Sequence, residues 1–245
     1  MSTVSLTRVT KEVLQNFSTI NSSIVFKKGS TIKTIANAEN VLAEYEGEEY
    51  WPQDFAIYDL GQFLAAINSM TSRDSSGQFS VPPMLEFLNE DYVNIRNQDG
   101  SAVIRYYYSD PEITLKVAPE LQVNFPGSNI AFDLPYDMLN ALLNCSSNMS
   151  LGDIKFVSDG TKSHINLCDA ENETSNTAKF NPPNIESDGS YDLTLKMDNL
   201  LVYKKQVDYR VRVSDQLLSE WVVTNIQGLN EVPKLKYYVA LEPIK

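Results

Sequence analysis

The chain is poor in the residues that usually do chemistry. In 245 residues it has one histidine, His164, and two cysteines, Cys145 and Cys168. With one thiol on a predicted helix and the other on a predicted strand, a disulfide framework is not expected; both read as reduced, half-buried groups. His164 falls on a predicted strand and reads as structural. No Ser/His/Asp set can be drawn around it, and no Cys/His cluster has the spacing of a zinc site. No glycine-rich loop follows a strand in the way a phosphate cradle requires. No apolar run approaches the roughly 18–20 residues of a membrane span, and Met1–Thr10 is polar and mixed, unlike a secretory leader. The protein is therefore expected in the cytoplasm, away from membranes. In that setting the N-x-S/T triplets at Asn21, Asn144, Asn148 and Asn172 are chance occurrences. Positive charge is also scarce: 20 basic against 32 acidic residues give a net charge of −12. That argues against tight nucleic-acid binding through a basic surface, which needs many phosphate contacts, and suits a soluble chain that resists unspecific sticking. Asp133, Asp137 and Asp153 could join a magnesium site, but in an acidic chain they read first as caps and solvated charges. The run Glu44–Glu49 reads as a solvated face. No cofactor, no metal and no enzymatic activity are expected.

What the chain does have is apolar content, 42%, enough for two modest cores or one large one. Its organising stretch is Asp54–Met70. Phe55 and Ile57 alternate as in a strand, and Leu60, Phe63, Leu64 and Ile67 then recur on one helix face. Asp59 stands where an N-cap belongs. The same strand-to-helix unit recurs at Ser2–Phe17, at Asn129–Cys145 with Pro135 suited to a first turn, and at Tyr191–Lys205 with Asp198 as its cap. Four such units, two in each half, suggest internal duplication.

Between these units lie strands. Ser23–Phe26, Thr31–Ile35 and Asn40–Tyr45 precede the organising stretch, the last with an acidic exit. Met84–Leu88, Tyr92–Arg96 and Ser101–Tyr107 follow it, with a hairpin turn at Gln98-Asp99-Gly100. Ser109–Pro126, punctuated by Pro111, Pro119 and Pro126, reads as an extended connector or as one more edge strand. The second half offers a hairpin around Asp159-Gly160, a short strand Thr177–Phe180, and strands Tyr209–Val213, Glu220–Thr224 and Lys236–Leu241. The plan is α+β, with antiparallel sheets and short helices gathered on one face.

The segment LQNFSTINSSIVFKKGSTI (Leu14–Ile32), followed by DFAIYDLGQFLAAI and the ending YYVALEP, resembles the sliding clamps of T-even-type bacteriophages, the DNA polymerase processivity factors. The resemblance implies two similar clamp-type domains, residues 1–110 and 127–245, joined by a connector at 111–126. Each would carry two short helices on an inner face, with sheets outside. It also implies a homotrimeric ring around duplex DNA that tethers a replicative DNA polymerase, in the cytoplasm of an infected bacterial host. An ATP-dependent clamp loader would close it on DNA, and late-transcription factors are further partners of this family. Enclosure would let an acidic chain retain DNA with few contacts. The lining would be Arg8 and Lys11 on helix one, Arg73 after helix two, and Lys204 and Lys205 on helix four; the alternative is solubilising charge on an outer face. Helices two and three offer Gln62, Asn68, Asn140 and Asn144. Tyr106, Tyr107 and Phe180 are the candidate subunit contacts, or else intramolecular core. Ile113, Leu115, Val117, Leu241, Pro243 and Ile244 are the candidate partner-peptide surface, or else connector packing. The competing readings are an acidic, β-rich virion or baseplate assembly protein and, more distantly, a carboxylate-based hydrolase.

Overall fold

The structure, a computed structural model, describes residues 2–73, 80–111, 116–172 and 174–243, with the side chains of Arg73 and Ser80 outside that description. The chain divides into two compact units. Unit 1 comprises Met1–Glu39 and Ala43–Pro119; unit 2 comprises Asn40–Leu42 and Glu120–Lys245.

In unit 1 one sheet runs Ser2–Val4, Met84–Phe87, Tyr92–Arg96, Val103–Tyr107 in spatial order, all neighbours antiparallel. The last hairpin turns through Gly100, whose φ of +74° favours glycine. Ile24–Phe26 pairs with Phe55–Ile57, and Gly29–Ile35 lies beside Val41–Trp51. Helix α1 (Arg8–Ile20) follows the first strand, and helix α2 (Leu60–Ser69) follows Phe55–Ile57. Both are amphipathic: α1 buries Val13, Leu14, Phe17 and Ile20, and α2 buries Leu60, Phe63, Leu64 and Ile67. Each such side chain contributes about 1.5–3 kcal/mol by leaving water. Beneath the sheets an aromatic cluster forms around Phe55, stacked on Phe26 at 4.5 Å and flanked by Trp51, Phe87 and Tyr108 at 5.6, 5.3 and 5.2 Å.

Unit 2 repeats this plan. Ile130–Leu134 pairs with Val207–Ser214, followed by Leu218–Ile226 and Lys234–Ala240, as Ser2–Val4 pairs with Met84–Phe87 in unit 1. A second sheet runs Ala178–Phe180, Ser163–Cys168, Asp153–Asp159, Ser190–Lys196. Within it, Asp153–Asp159 beside Ser190–Lys196 is the counterpart of Ile24–Phe26 beside Phe55–Ile57. Helix α3 (Tyr136–Met149) follows the first strand, as α1 does. The same order of pairing in both halves is the duplication that the sequence units suggest.

The fourth unit departs from expectation. Only three residues after Ser190–Lys196, Met197–Asn199, form a turn of 3₁₀-helix, and Asp198 lies within it and does not cap it. Residues 200–206 then run on without regular structure. The reason is visible in LLVY: Leu200, Val202 and Tyr203 are all buried, and a one-sided helix cannot bury so continuous a run. The hydroxyl of Tyr209 donates to the Tyr203 carbonyl (2.6 Å), fixing the non-helical path. Among its described residues unit 2 therefore has one α-helix and one 3₁₀ turn where two helices are expected.

The acidic stretch also departs. It is not an exit from a strand but the strand itself, which runs Val41–Trp51. Ala43, Tyr45, Glu49 and Trp51 are buried, while Glu46, Glu48 and Tyr50 are exposed. Period two is intact there, and Glu49 is on the buried side. Residues 116–126 have no regular structure, and the remainder of the expected connector, 112–115, lies outside the described residues. Among the described residues no helix is long and apolar enough to cross a membrane.

Candidate nucleic-acid interface

Each helix N-terminus is held by a carboxyl or hydroxyl oxygen, which meets the demand of its unpaired N–H groups. At α1, Thr7 Oγ1 accepts from Thr10 N at 3.2 Å. At α2, the Asp59 carboxylate accepts from Gln62 N at 2.8 Å, as its position in the sequence suggests. Pro135 provides no side-chain cap for α3. Asp208, on Val207–Ser214, supplies it instead: one oxygen accepts from Tyr136 N and the other from Asn225 Nδ2, both at 2.8 Å.

The outward faces of these helices are largely neutral. Arg8 is exposed and Lys11 half-buried on α1. On α2, Gln62 and Asn68 are exposed, and on α3, Asn140 and Asn144. Neither α2 nor α3 contains a lysine or arginine. Amides can hydrogen-bond phosphate oxygens without reading base sequence. Lys204 and Lys205 are exposed, but they lie in the irregular 200–206 segment, a correction to their expected place on a helix. Desolvation lowers the pKa of the Lys204 ammonium although the residue as a whole is exposed. The side chain of Arg73 is outside the described residues.

The arginines of the YRVRV strand are otherwise engaged. Arg210 pairs with Asp133 (3.2 Å) and Glu186 (3.1 Å). Arg212 pairs with buried Glu220 and lies over the Phe125 ring at 5.1 Å. The three aspartates considered for magnesium have separate roles: Asp133 binds Arg210, Asp137 stands in the first turn of α3, and Asp153 pairs with Lys196 at 2.8 Å. His164 has its pKa lowered by desolvation and then by Lys179, and both cysteines are free thiols.

The candidate subunit contacts divide. Val103–Tyr107 ends its sheet in unit 1, and Ala178–Phe180 ends its sheet in unit 2. Tyr107 is exposed and Phe180 half-buried. Tyr106 is used inside unit 1: its ring meets Phe63 edge-on at 5.1 Å, and its hydroxyl donates to the Asp59 carbonyl at 3.1 Å. Of the candidate peptide surface, Val117 and Pro243 are exposed. Leu241 is buried, so it is core and presents no docking surface. Ile113, Leu115 and Ile244 lie outside the described residues. Pro243 borders a groove of about 350 Å³ in unit 2 whose other walls are mostly charged, among them Asp153, Lys155, Asp192, Lys196 and Glu242.

Sequence reasoning missed two helix anchors, Asp208 and also Glu49, whose carboxylate accepts from Thr7 N at the start of α1. Strict alternation through EYEGEEYW is the signal that would have turned Glu49 inward. For Asp208 no local signal exists, because it acts 72 residues from its partner.

Comparison with known proteins gives the arrangement its context. The family described as DNA polymerase processivity factor matches residues 5–109. Over 244 residues the chain is 29% identical to the sliding clamp of Vibrio phage KVP40, spanning 98% of this chain and 99% of that one. It is 30% identical over 149 residues to the sliding clamp of Enterobacteria phage T4, spanning 61% and 60% of the two chains. A solved structure of the C-terminal region of FEN-1 bound to A. fulgidus PCNA superposes with a TM-score of 0.69 at 13% identity, covering 100% of both chains. PCNA from Entamoeba histolytica gives 0.65 at 13% identity, covering 95% of this chain and 94% of that one. The fold is therefore the DNA-clamp fold. The chain thus resembles the sliding clamps of T-even-type bacteriophages over its whole length, and its first half matches the DNA polymerase processivity factor family.

Proposed function

We propose that the protein closes into a homotrimeric ring around duplex DNA and tethers the phage replicative DNA polymerase to its template. The observation that carries this reading is the end-to-end likeness to a phage sliding clamp, 98% of the chain against 99% of the relative. The duplicated plan of the two units supports it, since a ring of similar modules needs repeats of one fold. Retention by enclosure explains how a chain of net charge −12 works on a polyanion: weak contacts permit movement along the duplex, whereas strong phosphate clamping opposes it. The open strands Val103–Tyr107 and Ala178–Phe180 are the proposed mates between subunits, because unpaired edges seek partners. A clamp loader driven by ATP closes the ring on DNA, late-transcription factors share its surface, and the site of action is the cytoplasm of the infected host. The protein itself performs no catalysis and takes no cofactor.

Two measurements test this reading. Size-exclusion with light scattering should return a trimer, and primer extension on circular templates should become processive only with loader and polymerase present. Lys204→Glu with Lys205→Glu should impair loading or sliding and leave the trimer intact. A stable monomer that leaves processivity unchanged would overturn the proposal, and normal processivity in the double variant would remove those lysines from the lining.

A further inference from the structure

Among the described residues, helix-borne positive charge is confined to one place. Of the three α-helices among the described residues, α1 alone contains lysine or arginine, and both, Arg8 and Lys11, lie in its first turn. That turn is also the most heavily anchored. Glu49, only 7% exposed, reaches it from the strand Val41–Trp51. One carboxylate oxygen accepts from Thr7 N at 2.5 Å, and the other accepts from the hydroxyl of fully buried Thr10 at 2.6 Å. Tyr45, two turns of pleat earlier on the same strand face, shares a hydrogen bond with that hydroxyl at 2.8 Å. Gly47 between them leaves the room: a Cβ there would sit 2.9 Å from both the Glu49 carboxylate and the Tyr45 ring. A buried carboxylate at a helix N-terminus is favoured by the unpaired N–H groups and the helix dipole. Hydrogen bonds to a charged group contribute more than neutral ones.

We propose that Glu49 is a positioning residue for DNA contact: it fixes the first turn of α1 and thereby holds Arg8 and Lys11 toward the duplex without touching DNA itself. This rests on the reading that α1 faces DNA. The isosteric Glu49→Gln loses the charge and the second acceptor, and Tyr45→Phe loosens Thr10 from its other side while leaving the core volume nearly unchanged.

The test pairs two readouts on the intact trimer. In Glu49→Gln, hydrogen exchange at the Thr7 amide should quicken on the order of tenfold, while amides of α2 stay unchanged. Equilibrium binding to linear duplex with free ends, measured across a salt series, should then show a shallower salt slope than the native protein. Arg8→Ala with Lys11→Ala sets the scale, lowering the slope by about 0.9 for each phosphate contact removed. Glu49→Gln should move it in the same direction by less, and Tyr45→Phe by less again. Faster exchange with an unchanged slope would reduce Glu49 to a structural residue and overturn the proposal, as would unchanged exchange. An unchanged slope in the Arg8/Lys11 control would instead overturn the reading that α1 faces DNA, and the exchange result would show which of the two had failed.

Discussion

The two units share a strand order but secure their second helical element differently. In unit 1, α2 has an apolar face of four spaced residues and a local cap, Asp59. In unit 2, the corresponding stretch has four adjacent apolar residues, and burial of Leu200, Val202 and Tyr203 takes precedence over helix formation. One duplicated plan thus tolerates a helix or a packed, irregular segment in the same position. What decides is spacing: at intervals of three and four the apolar groups share a face, and adjacent ones do not.

The comparison can be broken most severely at its cores. Each unit contains one of the chain's two tryptophans, Trp51 and Trp221, so fluorescence can follow the units separately. Phe55→Ala, removing the hub of the aromatic cluster in unit 1, should cost about 3–5 kcal/mol. Denaturant titration should show the Trp51 transition shifting while the Trp221 transition stays. Movement of both together would mean the units unfold as one.

Alkali probes the same cores by charge. Burial pushes the Tyr45 phenol up to about 12, against an opposing effect of its hydrogen bond with Thr10, and raises Tyr209 and Tyr237 well above the usual value. An unfolded tyrosine titrates near about 10. Between those values the folded protein keeps protons that the unfolded chain releases, so stability is full below pH 10 and falls as pH rises toward 12. Thermal melting across that interval, followed with tyrosinate absorbance, should show ionisation accompanying unfolding. Ionisation of all tyrosines in a still-folded protein would contradict this.

Smaller changes separate the caps. Asp208→Ala removes two hydrogen bonds, leaves α3 with no side-chain cap, and should cost about 1–2 kcal/mol. Asp59→Ala removes the single exposed cap of α2 and should cost about 1 kcal/mol or less. Chemical denaturation that reversed this order would show that a local cap matters more than one supplied from a distant strand.

These contrasts also mark what the sequence disclosed. The strands Tyr92–Arg96 and Ser163–Cys168 have the same limits in sequence and structure; in the second, buried Ile165 and Leu167 alternate with half-buried neighbours, so period two reports the core face directly. Asp59 was legible as a cap because cap and helix are adjacent. Glu49 was obscured by composition: four glutamates within six residues look solvated until their alternation is followed. The break after Asn199 was obscured by residues that suit either outcome, since Leu200–Tyr203 has apolar content but no helical interval. The proposed DNA face was legible only in part. Arg8 and Lys11 follow from the α1 pattern, whereas the pattern of Tyr191–Lys205 suggests for Lys204 and Lys205 a helix that the core does not permit.

The strand Val103–Tyr107 has Arg105 at its centre, its guanidinium 4.3 Å above the Tyr92 ring. If two copies of that edge met antiparallel about their midpoints, one Arg105 would stand directly opposite another, and facing like charges are destabilising. The shorter Ala178–Phe180 edge has exposed Lys179 at its own centre, so the same twofold pairing would set lysine against lysine there. Cations in the middle of both open borders thus discourage either edge from pairing with itself, and if the two edges pair with each other their register must keep Arg105 and Lys179 apart.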